Sequence, residues 1–196
     1  MNAVAKRRNL GTFAVFTFFL LSGCALAQND YPPLIPTNAK NEYEVKEENV
    51  ERAEQAWKKL ILLKNALSET SLIPAMEKFM EINTHVVKEI IIETWWKAIR
   101  QENDFSEAVN KVRTILEETQ YYTVSNYIFR RITEDVTKLD REVYRGTIEL
   151  YGSLAQMKEL VERPIGTYRA FTDTVTRVEN DFSKWKAIAR LEYRPQ

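Results

Sequence analysis

The chain holds a single histidine, His85, and a single cysteine, Cys24, and these two residues bound its chemistry. Nucleophilic catalysis needs a serine or cysteine beside a base that a third group orients. No G-x-S-x-G, no phosphate-cradling glycine loop and no dinucleotide fingerprint occurs. A di-iron centre in a helical bundle requires two Glu-x-x-His motifs, and one histidine cannot supply them. The nearest approach to a ligand set is Glu81, His85 and Glu89, spaced i, i+4 and i+8 on one side of a helix, the pattern of a weak surface site for a divalent transition metal. Lys78 and Lys88 stand among these acids. Stepping about 100° per residue from Phe79 places His85 opposite the apolar stripe. The trio therefore reads as a solvated helix face, and no metal, no cofactor and no enzymatic activity are expected. A pair of catalytic carboxylates would have to converge in one cleft, which no linear pattern here displays.

The elements that must position any functional side chain are helical. Beyond the first 46 residues the glycines are Gly146, Gly152 and Gly166, and no proline falls between Pro74 and Pro164, so the punctuation that strands and hairpins need is missing. Helix 1, about 46–70, carries Val50, Ala53, Trp57, Leu60, Ile61, Lys64 and Leu67 close to a heptad stripe. Helix 2, about 72–102, sets Leu72, Met76, Phe79, Met80, Val86, Val87 and Ile90 on one face. Asp104 followed by Glu107 is a capping-box pattern that opens helix 3. A straight rod over 104–162 would run about 88 Å at 1.5 Å per residue, far longer than helices 1 and 2. A break is therefore expected in 119–126, with Ser125 able to cap helix 4 over about 125–162. Helix 5 carries Phe171, Val175, Val178, Phe182, Trp185 and Ile188 after the Pro164–Gly166 interruption. Short connections make neighbours antiparallel. The expected fold is all-α, an up-and-down bundle of four or five antiparallel helices.

One stretch departs from simple amphipathicity. On the same wheel Ile92, Trp96 and Ile99 fall on what had been the polar face of helix 2, and with Ile90, Ile91 and Trp95 they make 90–99 apolar almost all round. A helix apolar on every side is usually covered by other helices, and that is the first reading. The alternative is a partner patch of Ile92, Trp96 and Ile99, since aromatic anchors concentrate at interface centres. Tyr121, Tyr122, Tyr127 and Phe129 are read as core closure at a bundle end. Arg130 and Arg131, followed by interleaved charges such as Glu134 and Lys138, read as a salt-bridged solvated face.

The N-terminal residues carry an address. Lys6, Arg7 and Arg8 precede an apolar run from Leu10 to Leu21, followed by small residues, which is the layout of an export signal. The run is too short to span a bilayer comfortably, which needs about 20 apolar residues. It closes on Leu21-Ser22-Gly23-Cys24, which resembles the lipobox of bacterial lipoproteins. That resemblance implies diacylation of the Cys24 thiol, cleavage before it, and anchoring through the lipid. It also implies sorting to the outer membrane, because Ala25 is not the aspartate that retains such proteins at the inner membrane. A second cleavage reading uses Ala25-Leu26-Ala27 and leaves a soluble chain beginning at Gln28. No other cysteine occurs, so no disulfide framework forms in the mature domain, and a domain of this size builds a sufficient core without one.

The division that follows is a signal peptide over 1–23, an extended tether over 24–46 with Pro32, Pro33 and Pro36, and a helical domain over 47–196. The chain has 28 Lys+Arg against 28 Asp+Glu; removing the leader takes three cations and leaves 25 against 28. That balance argues against nucleic acid. Expected partners are the membrane, through lipid on Cys24, and another protein, with a homo-oligomer equally compatible. The leading expectation is a lipid-anchored cell-envelope protein whose bundle binds or scaffolds a protein, as in secretion or envelope assemblies. The alternative is a soluble periplasmic or secreted carrier of a small apolar ligand. Helices opening onto lipid suit the heptad-like stripes and interleaved charges less well.

Overall fold

A computed structural model describes residues 47–100 and 105–193, with side chains from Glu107 onward in the second stretch. Cys24, the tether and the expected Asp104 cap lie outside the described residues, which are all-α and contain no strand. The helices are α1 (Glu47–Ala66), α2 (Leu72–His85), a π-helical segment (Val86–Ile92), α3 (Glu93–Arg100), α4 (Phe105–Glu118), α5 (Tyr121–Val136), α6 (Arg145–Glu162) and α7 (Tyr168–Glu192). The second, third and fourth run on without interruption as one rod from Leu72 to Arg100. No described helix is long and apolar enough to cross a membrane.

One apolar core joins these elements. It takes Leu60 from α1, Phe79 from α2, Ile90 from the π segment, Leu116 from α4, Ile128 and Ile132 from α5, Leu150 and Leu154 from α6, and Phe171 and Val178 from α7. In α1 the buried stripe is Asn49, Ala53, Ala56, Leu60 and Leu63, which keeps Ala53 and Leu60 of the expected stripe but not Val50, Trp57 or Lys64. The helix turns its small alanines inward, and Val50 and Lys64 are exposed while Trp57 and Ile61 flank the core. In α7 the expected Phe171, Val175, Val178 and Phe182 are buried and Trp185 is half-buried, whereas the expected Ile188 is exposed and Ala189 takes its place in the core.

The expected break after α4 is present, but Ser125 does not cap it. Gln120 adopts a left-handed backbone (φ 58°) and α5 starts at Tyr121, leaving Ser125 buried inside that helix. The expected continuous helix over 125–162 is also corrected. It is interrupted between Val136 and Arg145, where the Asp140 side chain accepts from the backbone N–H groups of Glu142 (2.8 Å) and Val143 (3.3 Å). An aspartate that bonds its own downstream backbone offers the chain an alternative to helix. Val143, expected in the apolar stripe, is 60% exposed as a result.

Two polar features fix the helix packing. The Tyr121 hydroxyl, fully buried, donates to Asn83 Oδ1 at 3.1 Å, while Asn83 Nδ2 donates to the Phe79 carbonyl at 2.7 Å. Burial pushes the Tyr121 phenol far up and the Tyr122 phenol to about 12. At the other feature, Glu192 near the end of α7 reaches the start of α6. Its carboxylate accepts from Gly146 N (2.6 Å), Thr147 N (2.9 Å) and Thr147 Oγ1 (2.8 Å). Those are first-turn donors with no partner inside their own helix, and the anionic acceptor also suits the positive end of the helix dipole. The approach is close enough that a Cβ on Gly146 would stand 2.5 Å from Ile188 Cγ2. Gly146→Ala should therefore destabilise the domain by about 1–3 kcal/mol, the usual cost of overpacking. Urea unfolding should show a lowered midpoint with an unchanged slope.

Candidate functional site

The residues that chemistry or binding would use gather where the rod passes from π-helix into α3. A π segment pairs i with i+5 and is rare beyond a single turn, where it commonly marks a functional position. Each of its residues advances by less than the about 100° of an α-helix. The phase of everything beyond Ile92 is thereby shifted, and a wheel drawn from Phe79 at the α-helical step does not apply to α3.

Arg52 of α1 bridges this transition. Its guanidinium donates to the Glu89 carbonyl (2.6 Å), to Glu93 Oε2, and to Glu48 Oε1 (2.5 Å). Lys97 completes the network, 2.6 Å from Glu93 and 3.6 Å from Glu48. Hydrogen bonding from Lys97, and then from Arg52, holds the Glu93 carboxyl below the usual carboxylate range against the opposing effect of burial. The same carboxylate raises both cations. Asn49 Nδ2 donates to the buried Thr94 Oγ1 at 3.0 Å, so the first turn of α1 is stitched to α3.

The stretch 90–99 divides between its two readings. Ile90, Ile91, Trp95 and Ala98 are buried, and Ile92 and Ile99 are half-buried against the core. Trp96 is 41% exposed. Its ring lies 5.5 Å from Tyr168, with the Arg100 guanidinium 5.1 Å from its centroid. Trp95 turns the other way, packing at 5.3 Å on Phe171 and edge-on at 6.0 Å to Tyr168. The patch expected from Ile92, Trp96 and Ile99 thus contracts to Trp96 and gains companions from outside its helix. Tyr168 comes from the start of α7. Before it, the connection from α6 buries Pro164, reverses at Gly166 (φ 103°), and leaves Ile165 77% exposed at its tip. Thr167 then caps α7 by accepting from Ala170 N at 3.2 Å. Arg100 could have been read from its i+4 spacing to Trp96; Tyr168 and Ile165 are more than 60 residues away along the chain and left no local signal.

His85 departs from its expected solvated face. Glu81 and Glu89 are exposed, but His85 is half-buried and its Nε2 is enclosed with no hydrogen-bond partner. The cause is α1, which packs against α2 and the π segment on this side. Burial, and after it the Lys59 ammonium, holds the imidazole below its ordinary value, with Arg52 acting in the same direction and Glu89 and Glu81 opposing. No group of three or more potential metal ligands occurs among the described residues. Compared with models of protein families, with curated proteins and with solved structures, the chain matches none.

Two predictions follow from this geometry. Trp95→Ala should cost the about 3–5 kcal/mol of a buried aromatic truncation, whereas Trp96→Ala should fall well short of that range in the same denaturant titration. For His85, the unfolded chain takes up a proton before the folded one, so stability is greatest above the unfolded value of about 6.5 and declines as pH falls through it. The unfolding midpoint should drop between about pH 7.5 and about pH 5.5, and His85→Gln should flatten the profile over that window.

Proposed function

We propose that the chain is a lipid-anchored protein of the bacterial cell envelope, its mature part an up-and-down helical bundle that serves as a binding or scaffolding module. The observation that carries the anchor is Leu21-Ser22-Gly23-Cys24 at the close of a basic-then-apolar leader, with Cys24 as the lipidated residue and the outer membrane as the favoured destination. The observation that supports a binding role is Trp96, held part-exposed between Tyr168 and Arg100. Exposed tryptophan and arginine are the side chains that concentrate binding energy at interfaces.

A non-enzymatic role accords with the placement of the one imidazole. His85 Nε2 is enclosed by protein and its pKa is lowered by burial, so that nitrogen is poorly placed to exchange a proton with a substrate. The ion pairs around Arg52 join helices to one another and hold the first turn of α1 in place.

Intact mass spectrometry of the membrane fraction tests the anchor. A diacylglyceryl- or triacyl-modified chain beginning at Cys24 is expected, and Cys24→Ser should abolish the modification and release the protein from membranes. An unmodified chain beginning at Gln28 would overturn the anchored reading.

A further inference from the structure

We propose that the corner built from Trp96, Arg100, Ile165 and Arg169 rests on the headgroup surface of an anionic phospholipid bilayer. The orientation this implies depends on the lipid-anchored reading above; the affinity of the corner for lipid does not.

The first support is position. Asn49 is hydrogen-bonded to Thr94 at 3.0 Å, and Glu48 lies 3.6 Å from Lys97. The first turn of α1 is therefore beside the turn of α3 that carries Trp96, and the chain leading from Cys24 enters the domain at this end. Residues 24–46 would span at most ~83 Å if fully extended, too loose a leash to orient the domain by itself. A tether nonetheless raises the effective concentration of membrane at the domain to the order of mM. A weak surface suffices under those conditions, and a small one is what this end presents.

The second support is chemistry. Tryptophan and tyrosine rings seat at the level of lipid headgroups because one edge is polar and the body apolar, and here Trp96 and Tyr168 lie 5.5 Å apart. Ile165, 77% exposed at the tip of a reversed connection, is the apolar side chain able to enter between headgroups. The cations are Arg100 over the Trp96 ring, Arg169 next to Tyr168, and Arg163 two residues before Ile165, all three exposed. Arg169 has only a loose pairing with Asp173, at 3.9 Å. Of the acids beginning α1, Glu48 is matched by Arg52 and Lys97. Glu47 and Glu51 are exposed, which confines the contact to the corner between α3 and α7. Ile92 and Ile99 are drawn into the core, so the apolar surface around Trp96 is narrow and suits a shallow contact with headgroups.

The test uses the full chain carrying Cys24→Ser, so that no lipid is attached. Flotation is measured with vesicles of phosphatidylcholine alone and with vesicles of equal parts phosphatidylcholine and phosphatidylglycerol. Tryptophan quenching by brominated phospholipid reports contact. The parent should prefer the anionic vesicles, and binding to them should weaken about tenfold in Ile165→Asp and in the double variant Arg100→Glu/Arg169→Glu. Leu62→Asp, at an exposed position on α1, should bind like the parent, and circular dichroism checks that all are folded. Residues 1–46 contain no tryptophan, so quenching that is lost in Trp96→Phe reports contact by the corner itself even where those residues also bind, and binding of the variants is compared through that signal. Equal binding by parent and corner variants, or indifference to lipid charge, would overturn the proposal and return the corner to a protein partner. The outcome is separable from that of the anchor. A chain found unmodified at Gln28 whose corner still selects anionic vesicles removes the anchor alone, and a lipidated chain whose corner variants bind unchanged removes the corner alone.

Discussion

Arg52 sits at the point on which the arrangement of the other helices turns. A rod that changes from α to π pairing and back exposes carbonyls on its wider turn, and Arg52 donates to one of them, that of Glu89, while pairing with Glu93 where α3 begins. The guanidinium, a planar donor fork that stays charged, thus ties α1 to both sides of the transition. Thr94, Lys97 and Glu48 extend the tie by one turn. With the rod held in that phase, Trp95 is directed onto Phe171 in the core and Trp96 onto the outer edge of Tyr168. Two adjacent tryptophans, about 100° apart around the helix, therefore have opposite fates.

How much of this was readable beforehand depends on the range of the interaction concerned. The all-α class followed from the missing glycines and prolines, and the buried faces of α2 and α7 followed from their spacing. The interruption at 137–144 was invisible because no glycine or proline marks it, and the work is done by one Asp140 side chain. The expected α1 stripe shares Ala53 and Leu60 with the buried one but follows the bulky Trp57 and Ile61 where the helix buries the small Ala56, because close helix approach favours small residues. The wheel that placed His85 in solvent ignored α1, and the wheel that grouped Ile92, Trp96 and Ile99 assumed a constant step through what proves to be a π segment. Trp96 could be singled out, but Tyr168 reaches it only through tertiary packing.

Most polar groups in the interior are hydrogen-bonded. Tyr121 and Asn83 satisfy each other one turn before the π segment, so the stretch of rod with the least regular pairing is preceded by a hydrogen-bonded core contact. Trp57 Nε1 and His85 Nε2 are the two enclosed side-chain nitrogens without partners among the described residues, and both come from the α1–α2 side of the molecule. An enclosed donor or acceptor without a partner costs stability, which makes this seam the softest part of the core in polar terms.

The carboxylate at the start of α6 has a consequence for the order of events in time. Its donors at Gly146 and Thr147 wait for an acceptor 45 to 46 residues further along, so a nascent chain that has just emitted α6 cannot complete that helix's first turn. Closure is deferred until α7 has been made in full and folded back. A chain of this kind leaves its last helix pair unclosed at that end while it is still being synthesised, so the α6–α7 pairing is among the last parts of the core to be completed.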